Sequence, residues 1–380
     1  MSIQIREVKS AFDLKTFIYL PEKIHQGHTN WVHPLYMDEE KFFNSEKNPA
    51  FKTNTTILAL AFENEKPIGR IMGIIPLEFN NLHHTKTARF SYMECYENQN
   101  VFNELLQFIE NWAKGFGCNQ IIGPMGFSDK EPQGFLTKGF TEPHMMVTNH
   151  SFPFLVDFIS EKGYRPYVEL CQYEVPLNKE LPVKYEKFAD RVIRQLDIQV
   201  LEFKSTKQIK QYVKPIFNLI NKTYTDIYGF TKISEEEAEE FANRFLPLLN
   251  PKLIKIITNN QNEVIAFVIA MPNINEGIKK AKGRLLPLGW FHIYQSMKKS
   301  KRLVLLLGSV RNDMQNKGLD AVLAIKLISS ALELGLQEMD SHLIMRENVK
   351  MRGIIERIEK NRMYKEYTIF SKFLIGQNVI

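Results

Sequence analysis

The sequence predicts an α/β protein of two similar halves, each built on a mixed, mostly antiparallel and twisted sheet flanked by helices. One reason is that strand-length apolar runs and amphipathic helical stretches follow one another along the chain. The other is that the order of these elements repeats after roughly half of the 380 residues, as a duplication requires. We therefore expect two domains of ordinary size, at residues 1–180 and 181–380.

The first half begins with an alternating strand and a helix, followed by an aromatic, proline-containing loop with short helices. Two strands separated by a turn at residues 64–66 are typical of a hairpin. A later helix places Phe102, Leu105 and Ile109 at helical spacing. The predicted elements are strand 2–8, helix 11–26, loop 28–45, strands 56–63, 67–76 and 88–96, helix 101–116, strand 120–124, loop 123–144, helix 154–162 and strand 167–175.

The second half repeats this order after a charged connector at residues 176–197. Pro215 lies inside its first helical pattern, so we expect a kink or a break there. The predicted elements are strand 198–203, helices 206–225 and 234–246, strands 253–258 and 263–271, a basic insertion 276–302, strand 303–310, helix 319–334, strand 339–345, helix 350–360 and strand 366–373.

The two halves also match in detail. Residues 57–75 and 253–271 both predict a strand, an Asn-containing turn and a second strand. A Tyr-x-x-Tyr pair precedes the closing strand of each half, at residues 164–167 and 364–367. These correspondences favour duplication over a chance succession of similar elements.

Composition excludes several classes of protein. The first residues are charged, which is not typical of a signal peptide, and no apolar run approaches the roughly 18–20 residues that span a bilayer. Cys95, Cys118 and Cys171 lack the spacing of a metal site or a disulfide framework, so we interpret them as small buried side chains. The net charge of +6 does not indicate a nucleic-acid binder. We expect a cytoplasmic protein without a metal, a nucleic-acid partner or stable membrane insertion.

The segment LGSVRNDMQNKGLD, residues 307–320, carries the most specific motif. A buried strand ends there, a polar loop containing Gly318 turns, and a long helix begins. Backbone N–H groups at such a helix start point toward an anion, and the helix dipole adds to the attraction. The segment resembles the central motif of the GNAT acyl-CoA N-acyltransferases. Together with the order of elements, this resemblance covers nearly the whole chain.

The resemblance implies two GNAT-like domains in tandem and a site for acetyl-CoA or another acyl-CoA. The residues it implies in cofactor binding are Val310, Arg311, Gln315, Asn316, Lys317, Gly318 and Leu319, around the diphosphate, and Asn348, at the pantetheine arm. Asp320 replaces the small residue of the family pattern. Its carboxylate would repel a diphosphate unless it points away or caps the helix. The equivalent segment 94–100 has no glycine, so we expect one cofactor site at most, in the second half.

Three residues are candidates for catalysis. Glu94 and Glu347 each lie near the end of a central strand. At this position either glutamate could deprotonate an acceptor amine. The alternative is that each is a solvated or ion-paired side chain. Many GNAT enzymes use a tyrosine as general acid about two helical turns after the position of Asn348. Glu356 lies near that place here, and Tyr364, beyond the helix, is the nearest tyrosine.

These features predict an acyl-CoA-dependent N-acyltransferase, whose acceptor is the amine of a small molecule or peptide bound between the halves. An alternative is a catalytically degenerate GNAT-like protein that binds a ligand or a protein partner. A third is an aminoacyl-tRNA-dependent transferase similar to the Fem peptidyltransferases, but the sequence has no sustained heptad pattern for their coiled-coil arm. The sequence does not indicate the acceptor, the acyl length or the oligomeric state.

Two further segments have more than one interpretation. The loop 123–144 is either a lid near the domain interface or a connection that packs its aromatic side chains on the sheet. Nearby, we interpret His144 and His150 as structural, with a catalytic base as the alternative. The basic insertion 276–302 would suit a membrane surface, an acidic carrier protein or the phosphates of coenzyme A. We favour instead a solvated face with a buried apolar stripe.

Overall fold

The computed structural model describes residues 2–145 and 148–374. Its first half contains β1 (Ile3–Glu7), α1 (Ala11–Ile24), α2 (Tyr36–Phe42), α3 (Ala50–Thr53), β2 (Asn54–Glu63), β3 (Lys66–Pro76), α4 (Leu77–His83), β4 (Thr87–Cys95), α5 (Gln99–Gly115), β5 (Gln120–Gly123), β6 (Phe135–Lys138), α6 (Phe154–Glu161) and β7 (Arg165–Pro176).

Its second half contains α7 (Glu180–Leu196), β8 (Gln199–Leu201), α8 (Val213–Thr223), α9 (Glu235–Phe245), β9 (Ile254–Thr258), β10 (Val264–Pro272), α10 (Asn275–Ala281), α11 (Gly289–Lys299), β11 (Arg302–Val310), α12 (Leu319–Glu333), β12 (Glu338–Asp340), β13 (Ile344–Met345), α13 (Val349–Glu356) and β14 (Arg362–Phe373). The predicted mixed α/β class is confirmed.

Two helices begin at reciprocal capping pairs. The backbone N–H of Asp13 donates to the Ser10 hydroxyl at 3.0 Å, and the N–H of Ser10 donates back to the Asp13 carboxylate at 3.2 Å. Ser234 and Glu237 form the same pair at the start of α9. Such pairs satisfy amide groups that the first turn leaves without intrahelical partners. They explain why the predicted starts of α1 and α9 fall within one residue of the observed starts.

Several predicted elements differ from the structure, among them the loop 123–144, which contains the short strand β6. The helical pattern 206–225 forms short 3₁₀ turns before α8 starts at Val213, because Pro215 lacks an N–H and fits only the first turn of a helix. The strand predicted at 339–345 is divided into β12 and β13. Between them, the Ser341 hydroxyl accepts the N–H of Tyr173 at 2.9 Å in place of a backbone carbonyl.

The strands form one sheet, in the order β1-β2-β3-β4-β5-β14-β7-β12-β11-β10-β9-β8, with β13 beside β7 and β6 beside β14. The closing strands are exchanged between the halves. β14 pairs with β5 of the first half, and β7 pairs with β12 of the second half. We predicted both closing strands but not this exchange. The domain boundary at residue 180 stays a prediction, since the sheet runs through both halves without interruption.

A charged network joins the exchanged strands. Arg302 on β11 contacts Asp340 on β12 at 2.6 Å and Glu174 on β7 at 2.7 Å. Glu174 also contacts Arg362 on β14 at 3.1 Å. Burial raises the pKa of Asp340 to about 6, although the charge of Arg302 lowers it. Removing one member would leave a buried charge without compensation, so the network holds four strands in register.

Helices cover both faces of the sheet. In the first half, α5 and α6 pack on one face and α1 and α2 on the other. In the second half, α8 and α9 cover one face, and α7, α12 and α13 cover the other. The cysteines are buried and free, as predicted. In residues 2–145 and 148–374, no helix combines the length and the apolar character needed to cross a bilayer.

Each half has a gap in its sheet where two parallel strands diverge. In the first half, β4 and β5 pair only at residues 87–89 and 120–122. In the second, β11 and β12 pair only at residues 302–304 and 338–340. From Leu305 onward, the recorded strand pairing of β11 is with β10 alone. This second gap positions the site described next.

Candidate functional site

The gap beside β11 opens into a cavity of about 1760 Å³, here called the main cavity. Its walls come from both faces of the sheet. Phe217 and Ala242 belong to the layer of α8 and α9, and Leu327 and Ile355 belong to the layer of α12 and α13. Most of the lining is apolar. The volume exceeds the roughly 300–1,000 Å³ of a small-molecule pocket, so the cavity has space for a long aliphatic ligand.

The loop between β11 and α12 has the backbone geometry of an anion site. Asn316 and Gly318 both adopt left-handed φ angles, of 61° and 87°. Arg311 holds the loop by contacts to Asp313 at 2.7 Å and to Glu263 at 3.2 Å. Because Gly318 is the N-cap, no side chain caps the first-turn amides of α12. Amides in this position favour a bound anion.

The predicted cofactor residues do not all face the main cavity. Its walls include Val310, Gln315, Asn316 and Asn348. The exposed Lys317 and the buried Leu319 are outside that lining. The structure therefore gathers about half of the predicted set around one space.

Two features oppose a diphosphate at this loop. Asp320 lies on the cavity wall, and it neither caps α12 nor hydrogen-bonds to another side chain in the described part of the chain. Its carboxylate would repel a phosphate nearby. The second feature is the packing of Gly318 against α7, which takes up the space beside this glycine. A Cβ atom there would lie 3.1 Å from Phe188 Cζ and 3.2 Å from Val192 Cγ2.

Asn348 and Glu347 lie together on the cavity wall, after β13. The side-chain oxygen of Asn348 caps α13 by accepting the N–H of Met351 at 3.0 Å. This bond fixes the orientation of the side chain, and its amide nitrogen has no partner among the described residues. Glu347 is exposed at the same wall. Both side chains are thus placed to meet a ligand that enters along α13.

A β-bulge lies at the corresponding place in each half. In the second half, it interrupts the pairing of β11 with β10 after Ile269, at Leu306. In the first half, it interrupts the pairing of β4 with β3, and Tyr92 there has a φ of 49°. A positive φ is rare for a residue with a bulky side chain. Both Leu306 and Tyr92 line the main cavity, where a bulge frees backbone groups from the strand ladder.

The gap in the first half is nearly filled. The cavity beside it measures about 50 Å³, with room for a few water molecules only. At the start of α5, the Asn98 side chain accepts the N–H groups of Asn100 and Val101 at 3.0 and 3.3 Å. The position of an anion is therefore taken by the protein's own side chain, in contrast to α12.

Glu94 lies near the end of β4 in the first half and borders both cavities. Its Oε2 accepts a hydrogen bond from Arg70 Nε at 2.9 Å, and its Oε1 lies 3.5 Å from His25 Nε2. Burial alone would raise the pKa of Glu94. The charge of Arg70, and the hydrogen bonds from His25 and Arg70, lower it instead to about 2. Glu94 is therefore ionised and fully engaged.

Four histidines form a cluster beside Glu94. The Nδ1 atoms of His25 and His28 are 3.0 Å apart, and the ring centroid of His150 lies 5.1 Å from that of His28 and 5.5 Å from that of His144. Both ring nitrogens of His150 are buried without a partner in the described part of the chain. Burial, with neighbouring positive charges, lowers the pKa of His150 to about 3 and of His28 to about 4.

The rings of His28, His144 and His150 are therefore neutral near pH 7, and those of His144 and His150 line the main cavity. Sequence reasoning missed His25 and His28, although their His-x-x-His spacing directly after α1 was the available signal. Our structural interpretation of His144 and His150 stays a prediction. Among residues 2–145 and 148–374, no three His, Cys, Asp or Glu side chains are arranged to hold a metal ion.

The loop after β5 forms part of the cavity wall through residues 127–133. The fully buried Arg89 fixes this loop by donating from Nη1 to the carbonyl of Phe127 at 2.7 Å. Burial raises the pKa of Glu131 to about 7 and of Asp129 to about 6. The role of the loop 123–144 as a lid stays a prediction, but its residues 127–133 enclose the cavity on the side of the first half.

Comparison with solved structures identifies this architecture. The chain is similar to the tandem GNAT protein from the clavulanic acid biosynthesis pathway, with a TM-score of 0.57, 8% identity, and coverage of 99% of this chain and 100% of that one. The chain has a tandem GNAT fold. It is also similar to the GCN5-related glucosamine N-acetyltransferase region of a fungal multi-domain GH3 β-N-acetylglucosaminidase, with a TM-score of 0.54, 9% identity, and coverage of 98% of this chain and 38% of that one.

Two curated proteins are similar in sequence to this tandem GNAT chain. The bacterial ceramide synthase of Caulobacter vibrioides is 26% identical over 387 residues, which cover 98% of each chain. Protein YghO of Escherichia coli is 26% identical over 380 residues, which cover 97% of this chain and 95% of that one. No protein-family model matches the chain.

Within the tandem GNAT fold, the three predicted catalytic residues have different surroundings. Glu94 and Glu347 both border the main cavity, one from each half. Tyr364 is buried on β14 and is not part of the lining of either cavity, and burial raises its pKa well above the ordinary value. Glu356 accepts a hydrogen bond from Tyr173 at 2.5 Å. The structure thus brings the two glutamates to one space and leaves the tyrosine outside it.

Proposed function

We propose that the protein transfers a long acyl chain from coenzyme A to the amine of a long-chain acceptor, forming an amide. The main cavity carries the proposal, since it is apolar, larger than a small-molecule pocket, and bordered by the loop before α12 and by the cluster around Glu94. Walls on both faces of the sheet suit two aliphatic chains whose reacting ends meet in the gap beside β11. A transferase for short substrates would have no need of this volume.

The named relative supports the choice of acceptor. Ceramide formation joins an acyl group to the amine of a sphingoid base, and the Caulobacter ceramide synthase aligns with this chain over nearly its whole length. A sphingoid base is an amphiphile, with a long apolar tail and a polar 2-amino alcohol head. The main cavity offers such a molecule apolar walls at α8 and α9 and polar groups around Glu94. A long-chain 2-amino alcohol is therefore the first acceptor to test.

The donor would bind at the loop before α12. The uncapped amides of that helix attract phosphate, and Asn348 lies where it can donate to the pantetheine amides. Because Asp320 repels phosphate, we expect the diphosphate to lie toward the exposed Lys317, away from that carboxylate. The acyl chain would extend along the apolar wall formed by Leu327 and Ile355.

The chemistry requires a neutral amine and a stabilised oxyanion. The amine nitrogen attacks the thioester carbonyl, the C–S bond breaks, and the amine proton finally reaches the departing thiolate. Glu347 and Glu94 are among the groups on the cavity wall able to accept that proton. Glu94 is tied to Arg70 and His25, so it also suits a positioning role. Backbone N–H groups at the Leu306 bulge would stabilise the oxyanion.

A matched pair of glycine variants tests the proposal. Gly318 and Gly335 flank α12, and both have left-handed φ angles, of 87° and 78°. A Cβ at Gly335 would approach only Lys301 Nζ, at 3.9 Å. Gly318→Ala and Gly335→Ala therefore share the backbone strain, but only the first alters the donor loop.

We expect palmitoyl-CoA to stabilise the wild type against heat more than acetyl-CoA does, by mass action. The wild type should release free thiol from palmitoyl-CoA when a long-chain 2-amino alcohol is added. Gly318→Ala should bind palmitoyl-CoA about tenfold more weakly than Gly335→Ala. The proposal fails if no acyl-CoA stabilises the wild type and no thiol is released.

Asp320 favours a second candidate function, a protein that holds a lipid in the main cavity without acyl transfer. A carboxylate on the wall near the start of α12 repels a diphosphate but does not repel an aliphatic tail. On this reading, a long-chain amine or fatty acid stabilises the protein and palmitoyl-CoA does not. Asp320→Asn distinguishes the two functions, because removal of the charge should tighten palmitoyl-CoA binding if the diphosphate binds at the loop before α12. If the cavity holds a lipid alone, palmitoyl-CoA should still not stabilise the variant.

A further inference from the structure

The basic insertion of the second half forms a helical hairpin of α10 and α11, residues 275–299, with exposed apolar side chains. Leu286 is 80% exposed and Trp290 is 57% exposed. Leu288, Phe291 and Tyr294 are also exposed. Our interpretation of this segment as a solvated face over a buried stripe is wrong for these residues. The chain turns at Pro287, so the residues around it face solvent.

The hairpin is tightly packed, both within itself and against the rest of the protein. Gly277 brings α10 against α11, since a Cβ there would lie 2.6 Å from the Ile293 Cα. Ile278 and Ile293 are buried in the core beneath it. The loop between the helices is fixed to the first half, where Arg284 contacts Glu22 at 2.8 Å. The exposed apolar side chains are therefore held in place by the fold.

Its charge is predominantly positive, and its one acidic residue, Glu276, contacts Lys279 at 3.4 Å. Residues 277–301 contain seven Lys and Arg residues and no Asp or Glu. Lys280, Lys298 and Lys299 are exposed and have no carboxylate partner in the described part of the chain. Lys298 Nζ lies 4.6 Å from the centroid of the Tyr294 ring, so a cation stands beside the apolar group. A complementary surface must offer negative charge next to an apolar layer.

We propose that this hairpin docks on an anionic lipid surface. Leu286, Leu288 and Phe291 would enter the boundary between headgroups and acyl chains, with Trp290 and Tyr294 at headgroup level. The lysines would meet anionic headgroups, an attraction that salt weakens. A protein partner is less suited, because its interface core would have to tolerate this density of unpaired lysines.

The position of the hairpin links the lipid surface to the main cavity. Asn275 and Ile278 of α10 line that cavity from the inner side of the hairpin. A lipid substrate leaving the surface would thus have a short path to the apolar walls. This link rests on the proposed function, whereas docking itself does not.

The test is sedimentation with vesicles, in the absence of donor and acceptor. The wild type should bind mixed vesicles of phosphatidylglycerol and phosphatidylcholine. It should bind vesicles of phosphatidylcholine alone much more weakly. The double variant Leu286→Ser/Trp290→Ser should lose about tenfold or more in binding to the anionic vesicles. Lys298→Glu/Lys299→Glu should lose binding and its salt dependence. Phe12→Ser is the matched control, since Phe12 is 78% exposed on α1, outside the hairpin, and should bind as the wild type does.

Circular dichroism and thermal unfolding check that each variant is folded. Wild-type protein that does not sediment with anionic vesicles overturns the proposal, as does undiminished binding by Leu286→Ser/Trp290→Ser. Self-association of the wild type that this variant abolishes, without vesicle binding, would assign the hairpin to a second copy and also overturn it. Because no acyl transfer is measured, failure of docking is distinguishable from failure of the transferase proposal.

Discussion

The guanidinium Nε of Arg70 lies 2.9 Å from the carboxylate Oε2 of Glu94, across two neighbouring strands of the first half. Arg70 is buried, and its other recorded hydrogen bond goes to the carbonyl of Phe17 at 2.8 Å. The pair thus fixes one wall of the main cavity. We expect it to be important for both stability and function.

Glu94→Gln should lower the free energy of unfolding by about 3–5 kcal/mol, because Arg70 keeps a buried charge without a counterion. The double variant Arg70→Met/Glu94→Leu should cost less than the sum of the two single changes. Urea unfolding followed by circular dichroism measures each value. Lys252→Met is the control, since its pair with Glu333 at 3.5 Å is exposed and should be worth about 0–1 kcal/mol. Strict additivity would contradict the coupling.

The histidine cluster should make the protein less stable in mild acid. Burial lowers the pKa of His28 to about 4 and of His150 to about 3, from an ordinary value of 6.5. Between those values, the unfolded chain binds more protons than the folded one, so stability falls as the pH drops below 6.5. His150→Asn should reduce this slope by about one proton in urea unfolding at a series of pH values. An unchanged slope would place His150 in a solvated environment.

Glu131 serves as a control, because its contribution to stability should change with pH in the opposite direction. Its pKa is raised to about 7 by burial, so the folded state holds a proton that the unfolded state releases above the ordinary pKa of 4.5. Its contribution is complete below 4.5 and is lost as the pH rises through 7. Glu131→Gln should therefore gain stability relative to the wild type over that range. A gain only below pH 4.5 would reverse the assignment.

Narrowing the cavity should change acyl or acceptor length selectivity, if the transferase proposal holds. Ala242 on α9 lines the main cavity in the layer that also contains Phe217. Ala242→Phe should fill part of this wall and lower the rate with long-chain amines more than with short ones. The rates of thiol release with C8 and C18 amines measure the ratio. Ala189→Phe tests a buried alanine that is not part of the cavity lining. A proportional loss with both amines would place the tail elsewhere.

The exchanged strands predict fragment complementation. A fragment ending at residue 178 lacks β14, and a fragment beginning at residue 179 lacks β7, so each leaves open ladders beside its own sheet. We expect each fragment alone to be unfolded or aggregated, and the mixture to regain cooperative unfolding. Circular dichroism and size exclusion measure both states. Cooperative folding of the first fragment alone would contradict this prediction.

Much of the secondary structure follows from local signals. Apolar alternation, the capping pairs at Ser10 and Ser234, and the glycines after helices lie within a few residues of the elements they specify. The exchange of β7 and β14 has no such signal. Both strands carry similar apolar patterns, and which one pairs with β5 depends on contacts more than 200 residues apart. Local reasoning therefore finds the strands but not their order.

The candidate site was predictable to the extent that it lies in one segment. The loop before α12 is contiguous, so Gln315, Asn316 and Gly318 were visible as a motif. The histidine cluster beside Glu94 was not, because His28 and His150 are distant in sequence and meet only through the fold. The exposed face of α11 was missed for another reason. Apolar residues at helical spacing normally face a core, and only the structure reveals which face is left uncovered.

The exchange of β7 and β14 has a consequence for synthesis of the chain. Domains usually fold one after another as the ribosome produces them. Here the sheet of the first half is incomplete until β14, residues 362–373, has been synthesised. The edge of this sheet at β5 stays unpaired while the second half is made. During that interval, the exposed edge is open to other chains, so we expect nascent protein to depend on chaperones until its last strand arrives.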